Sequence, residues 1–214
     1  MIEYKTQNFS PAEILEAARI QIRELPEGFL SSLGEQPLYL VFKHAADSEY
    51  GILILAKDRD KVAGYVMGAT NTSKFYVEFL RKRSLVALRY FLPKLISVQR
   101  LLRAFETLLY PSRRSVQTST VQAELLDLAV TQEYQGKGIA SQLFDLLVEM
   151  FQQKGIRRFQ IPTSEGLERA HRFYEKKGAH CVGSIEVHKG AKTLIYLYEM
   201  PGGEHDAAKA IRTP

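Results

Sequence analysis

Leu128-Ala129-Val130-Thr131-Gln132-Glu133-Tyr134-Gln135-Gly136-Lys137-Gly138-Ile139-Ala140 carries an apolar run into a glycine turn and the turn into a helix. Residues 121–130 read as a strand. Beyond the turn, Ile139, Leu143, Leu146, Leu147 and Met150 recur at helical spacing, predicting a helix over about 138–153. Such a junction binds anions for a physical reason. The first amides of a helix have no partner within it, and the helix dipole adds positive potential at that end. Gly136 and Gly138 keep side chains away from those amides, and Lys137 adds charge. Glycine turns before helices also arise from geometry alone, so the loop by itself leaves both readings open.

Two phosphate-binding motifs fail against these residues. A P-loop needs Gly-Lys followed by Ser or Thr, whereas Lys137 is followed by Gly138 and Ile139. A dinucleotide fingerprint nearly fits Gly136, Gly138 and Ser141. It fails because a hairpin and an insert precede the strand, and no acid follows where a ribose would need one.

Working outward, Ser10 caps a first helix, Pro11 takes its first position and Glu13 completes a capping box ahead of Ile14, Leu15, Ala18 and Ile20. A Pro-Glu-Gly break at 26–28 ends it. A short helix is readable near Phe29, and the run Leu38-Tyr39-Leu40-Val41-Phe42 suits a buried strand or a helix equally. Residues 51–57 and 62–68 form a hairpin across Asp58-Arg59-Asp60. Residues 73–91 and 94–109 read as two helices interrupted at Pro93. After the loop come a strand at 157–162 and a helix at 167–177 closed by Gly178. A hairpin, 182–188 with 193–199, then turns at Lys189-Gly190, and the tail 201–214 is polar.

The quoted stretch resembles the central motif of the GNAT superfamily of N-acetyltransferases, Gln/Arg-x-x-Gly-x-Gly/Ala. The run Ala170-His171-Arg172-Phe173-Tyr174-Glu175-Lys176-Lys177-Gly178 resembles its second motif. The resemblance covers residues 51–70 and 121–200. It implies a single α+β (α/β) domain over 1–214, with a mixed, mostly antiparallel central sheet, a splayed strand pair and an inserted helical hairpin at 73–118. It also implies acetyl-CoA as cosubstrate, with the pantetheine arm along the backbone of Leu128, Ala129 and Val130 and the pyrophosphate on Gln135, Gly136, Lys137, Gly138, Ile139 and Ala140.

The implied reaction is direct attack of a primary amine on the thioester. It needs a base for the amine, a donor at the carbonyl oxygen (the amide of Val130 or a neighbour) and an acid for the departing thiolate. The resemblance assigns the acid to Tyr174; without it, Tyr174 reads as a core-edge aromatic. Glu124 takes the position of the superfamily's glutamate base, with Asp127 as the other carboxylate and water chains as a third route. Strict alternation puts Glu124 and Val130 on one face and Asp127 on the other. The second motif departs from the family at Leu167, where relatives often carry Asn. That contact is lost or supplied by Thr163 or Ser164. The rival function is a non-catalytic module binding coenzyme A as sensor or scaffold, and a peptide or polyamine is an alternative acceptor.

Composition bounds the rest. The chain has 214 residues, is 45% hydrophobic and carries a formal charge of +5, values for one globular domain. The MIEYKTQNFS start lacks signal-peptide character and no long apolar run occurs, so a cytoplasmic protein is expected. The one cysteine, Cys181, excludes an internal disulfide and reads as a small buried strand residue. No metal site is expected from His171, His180 or Cys181. The positive charge belongs to one segment. Between Thr70 and Arg114, Lys74, Arg81, Lys82, Arg83, Arg89, Lys94, Arg100, Arg103, Arg113 and Arg114 face only Glu78 and Glu106. This segment reads as an amphipathic hairpin on the core, as a lid whose arginines meet an anionic, phosphorylated or sugar-linked acceptor, or as a peripheral contact with an anionic membrane. Specific nucleic-acid recognition lacks a motif, and a homodimer is left open.

Overall fold

The computed structural model describes residues 1–26, 29–32, 34–91, 121–188 and 191–201. The predicted helix at 94–109, the turn at Lys189-Gly190 and most of the tail lie outside them. Ser10 caps α1 (Pro11–Glu24) with the full capping box the sequence predicts. Glu13 does more than cap. Its carboxylate, held down to about pKa 2 by Lys5, Lys57 and Ser10 against the cost of burial, ties α1 to β1 (Ile2–Lys5) and to β2 (Gly51–Asp58). β1 is an element the sequence reading missed: four residues are too few to declare an alternation.

After the single turn α2 (Phe29–Ser32), the ambiguous apolar run belongs to α3 (Glu35–Asp47). Leu38, Val41, Phe42 and Ala45 are its buried apolar positions, a helical period visible only once Ala45 is included. β2 pairs antiparallel with β3 (Lys61–Ala69), which runs into α4 (Thr72–Phe91). α4 docks through Phe75, Tyr76 and Phe79. Buried His44 of α3 makes a 3.0 Å hydrogen bond through Nε2 to the Phe75 carbonyl, and Ser48 donates to Glu78. Val77 and Leu80 remain exposed on α4. No described helix is long and apolar enough to cross a membrane.

The second half adds β4 (Glu124–Val130), α5 (Ile139–Gln153), β5 (Arg158–Ser164), α6 (Glu168–Lys176), β6 (His180–His188) and β7 (Ala191–Glu199). The described strands form one sheet in the order β1-β2-β3-β4-β5-β7-β6, antiparallel except for β4 beside β5. Two apolar layers cover it. Ile14, Ala17, Phe42 and Phe75 pack on one face around Tyr65; Leu143, Phe144, Leu147 and Phe151 pack on the other around Val66 and Phe159.

Gly51 shows how tightly the first layer is set. A methyl group there would lie 2.8 Å from the Ala45 Cα and closer still to the Ala45 carbonyl oxygen, a backbone contact that no rotamer change relieves. Gly51→Ala is therefore expected to cost about 1–3 kcal/mol by urea denaturation. An unchanged midpoint would show that the α3–β2 corner yields freely.

Candidate active site

β4 meets β5 at one register position, Glu124 opposite Gln160, reinforced by the Gln160 N–H donating to the Ala123 carbonyl at 3.0 Å. From there β5 follows β7 and β4 follows β3. The parallel neighbours splay, with Glu124 at the apex of the opening. At the far end of β4 the Thr131 N–H donates to the Ala63 carbonyl at 2.9 Å. Alternation then turns the main chain of Ala129 toward β3 and that of Leu128 and Val130 toward the opening. The Val130 carbonyl accepts from Gln135 Nε2 at 3.0 Å, so Gln135 folds back onto the strand end.

The loop follows a single 3-10 turn, Gln132–Tyr134. Gly136 (φ 76°) and Gly138 (φ 80°) are left-handed, and open space surrounds both. The glycines are required by the backbone angle rather than by crowding, and the exposed main chain is what they offer. Gly138, the N-cap of α5, makes no side-chain capping bond. The first bond inside the helix runs from the Gln142 N–H to the Gly138 carbonyl at 3.1 Å. The amides of Ile139, Ala140 and Ser141 are thus donors without a helical partner at the positive end of the dipole. The Lys137 ammonium lies 4.8 Å from the Tyr134 ring centroid, and the Tyr134 hydroxyl donates to Asp58 at 3.0 Å, tying the loop to the β2–β3 turn.

The carboxylates are arranged differently from the strict alternation expected. Met67 stands opposite Asp127 but Gly68 opposite Leu125, so Leu126 is an extra, bulged residue. The bulge reverses the parity of everything before it. Leu125 and Val130 pack in the α5 layer, whereas Asp127 accepts from Tyr65 at 2.7 Å and Glu124 from Thr72 at 3.4 Å, both on the side of α1, α3 and α4. Glu124 and Asp127 therefore share a face, and Val130 is on the other. Gln160 also donates to Glu124, at 3.1 Å.

Both acids are shifted toward neutrality. Burial pushes Glu124 up to about 7, moderated by the hydrogen bonds from Gln160 and Thr72. Burial raises Asp127 to about 6, moderated by Tyr65 and the Leu128 amide. Tyr76 of α4 is raised by burial and by the charges of both carboxylates. Tyr174 of α6 is buried beside Phe173, Phe144 and Tyr196, at 5.3, 6.3 and 6.4 Å between ring centroids. Burial and the charge of Asp127 raise its phenol, so it stays protonated as a donor. The structure brings Tyr174 within the field of Asp127 although it belongs to the opposite layer. Tyr65, Tyr76, Thr72 and Gln160 escaped sequence reading because only the bulge and the fold bring them to the acids.

Of the residues that might replace the family's Asn, Leu167 is 42% exposed at the start of α6, the Thr163 hydroxyl is turned inward to the Ile161 carbonyl, and Ser164 is exposed at the strand end. His171 bonds through Nε2 to the Glu165 carbonyl at 3.0 Å and stacks on Tyr196. Among the described residues no group of three His, Cys, Asp or Glu could hold a metal. Cys181 corrects the expectation of burial: it is exposed, because β6 is an edge strand with an irregularity between Cys181 and Gly183.

Residues 104–179 match the model of the acetyltransferase (GNAT) family, a match that begins inside the 73–118 segment and spans both motifs. No curated protein sequence matches significantly. Solved structures with the same fold include Arabidopsis thaliana NAA60 in complex with acetyl-CoA (16% identity, 94% of this chain and 100% of that one, TM-score 0.58). The ribosomal-protein-S18-alanine N-acetyltransferase of Escherichia coli shares 12% identity over 95% and 97% of the two chains (TM-score 0.57). A GNAT-family acetyltransferase of Streptococcus pneumoniae shares 17% identity over 92% and 99% (TM-score 0.55). Sequence match and fold agree: residues 104–179 match the acetyltransferase (GNAT) family model, and the chain shares its fold with solved GNAT acetyltransferases.

Proposed function

We propose that the protein transfers the acetyl group of acetyl-CoA to a primary amine by direct attack, and the observation that carries this is Glu124, a buried carboxylate near pKa 7 at the apex of the β4–β5 opening. The phosphates fit the loop amides of Gly136, Lys137, Gly138, Ile139 and Ala140, with Gln135 holding the loop to the strand. The pantetheine arm fits the edge of Leu128 and Val130 that faces away from β3, with Ala129 paired to β3 and with the Val130 carbonyl and the Leu128 amide already engaged by Gln135 and Asp127. A base half ionised at neutral pH suits proton removal from an amine. The amine nitrogen bonds to the thioester carbon, Glu124 takes its proton, and the carbon–sulfur bond breaks. The Tyr174 phenol donates to the departing thiolate. An amine that arrives as an ammonium gives up one proton to solvent before it attacks; the second, taken by Glu124, balances the one given by Tyr174 when the enzyme resets.

The groups that hydrogen-bond the two acids are neutral: Gln160 and Thr72 on Glu124, Tyr65 and the Leu128 amide on Asp127. A phosphate at that floor would face two carboxylates, whereas an amine, cationic on arrival, is attracted there. An acceptor carrying a phosphate or a nucleotide-linked sugar would hold that group away from the floor, at the basic residues of the 73–114 segment. The deciding experiment is transfer from radiolabelled acetyl-CoA to panels of peptides, polyamines and amino sugars with and without phosphate. Acetylation of an amine is expected. Tight acetyl-CoA binding with no transfer to any amine would favour a non-catalytic coenzyme A module.

The loop has its own prediction. Gly138→Val forces a branched side chain into a left-handed position and over the helix amides. It is expected to weaken acetyl-CoA binding at least about tenfold, or about 1.4 kcal/mol, by calorimetric titration. Unchanged affinity would move the phosphates elsewhere.

A further inference from the structure

Glu124 receives two hydrogen bonds, and both fall on the same oxygen. Gln160 Nε2 donates to Oε2 at 3.1 Å from the neighbouring strand β5. Thr72 Oγ1, from the first residue of α4, lies 3.4 Å from the same Oε2 and 3.3 Å from the Gln122 carbonyl, so its one proton is shared between the two acceptors. No described residue hydrogen-bonds Oε1. The two donors sit on different elements, so together they fix the plane of the carboxylate and not only one torsion. Thr72 is itself held in place. Its N–H donates to the Gln122 carbonyl at 2.9 Å, Asn71 donates to the Gln122 side chain at 2.6 Å, and Phe75, Tyr76 and Phe79 bury the turns that follow.

We infer that Gln160 and Thr72 are positioning residues that hold Oε2 of Glu124 and leave Oε1 as the oxygen that takes the amine's proton. The N-terminus of the helix inserted between β3 and β4 is thereby part of the apparatus around the base, rather than an appendage on the core. The inference rests on the acetyl-transfer reading for the proton's origin, but the restraint on Glu124 does not need turnover. The other titratable groups on this face are Tyr76 of α4, which lies in the field of both acids, and the Asp127–Tyr65 pair. Neither Tyr76 nor Tyr65 ionises in the working range, because burial raises both phenols.

Donors that bond the ionised carboxylate stabilise it, so removing one raises the titration midpoint. The test uses the full-length protein with carboxyl-13C glutamate, Glu124 being identified as the signal lost in Glu124→Gln. Gln160→Met is expected to raise the Glu124 midpoint by about one pH unit, Thr72→Val by less, and Thr72→Ser, which keeps the hydroxyl, not at all. The acidic limb of kcat/KM should move by the same amount, giving about a fivefold loss at pH 7 that recovers by about pH 9. Acetyl-CoA affinity should be unchanged. Two unshifted midpoints, or a loss of rate equal at every pH, would overturn the inference. A wild type that acetylates no amine would instead defeat the acetyl-transfer reading, while the carboxyl titration still decides whether the two donors hold Glu124.

Discussion

Replacing Glu124 with glutamine is expected to cut acetyl transfer by about 10²–10⁴-fold while stabilising the protein above neutral pH. The first effect follows from removing the carboxylate at the apex of the β4–β5 opening. The second follows from linkage. Glu124 titrates near 7 when folded against an ordinary 4.5, so the folded state binds this proton more tightly than the unfolded state does. The stability that proton brings is full below about pH 4.5 and is lost as the pH rises toward 7. Above 7 the wild type bears the whole cost of a buried charge, on the order of 3 kcal/mol, which glutamine avoids. The variant should melt roughly 5–10 °C higher at pH 8.5 and at nearly the same temperature at pH 4.5. Asp127 titrates over part of the same range, but it is present in both proteins and drops out of the difference. An inactive variant with no pH-dependent gain would show that Glu124 is already screened. If Asp127→Asn abolished transfer and Glu124→Gln spared it, the base would be Asp127.

Tyr174→Phe carries the second large effect, about 10²-fold on kcat, with little change in the affinity for acetyl-CoA. The group lost is a protonated hydroxyl on a ring buried in the aromatic cluster of Phe144, Phe173 and Tyr196, and the ring that fills the core remains. Its pKa, raised by burial and by Asp127, lies above that of a thiol, so its service to the thiolate begins as hydrogen bonding and completes as the new amide forms. The loss should shrink with acyl thioesters whose thiols are more acidic, because a better leaving group needs less help. Measuring kcat with acetyl-CoA and with an acetyl thioester of lower thiol pKa checks this. An equal loss on both would make Tyr174 a packing residue.

Much of this arrangement is legible in the sequence, for identifiable reasons. The capping box at Ser10 and Glu13, the left-handed glycines at Gly136 and Gly138 and the closing Gly178 are local devices, and local devices are written in neighbouring residues. β1 and α3 were less legible because their signal is short or split: Ile2 and Tyr4 make too few alternations, and Leu38–Phe42 shows its period only with Ala45. The faces of Glu124 and Asp127 were not legible at all. One bulged residue, Leu126, inverts the parity of the strand, and nothing in the run Glu-Leu-Leu-Asp-Leu says where the extra residue falls. The donors to those acids come from β5 and α4, distant in sequence, and only the folded sheet brings Thr72 and Gln160 to one oxygen.

The most direct test of the central claim is a crystal structure of the protein with acetyl-CoA. The pyrophosphate is expected within hydrogen-bond distance of the amides between Gly136 and Ser141, the pantetheine arm along Leu128 and Val130, and the thioester facing Glu124 between β4 and β5. A pyrophosphate bound instead in the open groove between α1 and Thr131, lined by Arg19, Arg23 and Lys61, with the β4–β5 opening empty, would contradict it.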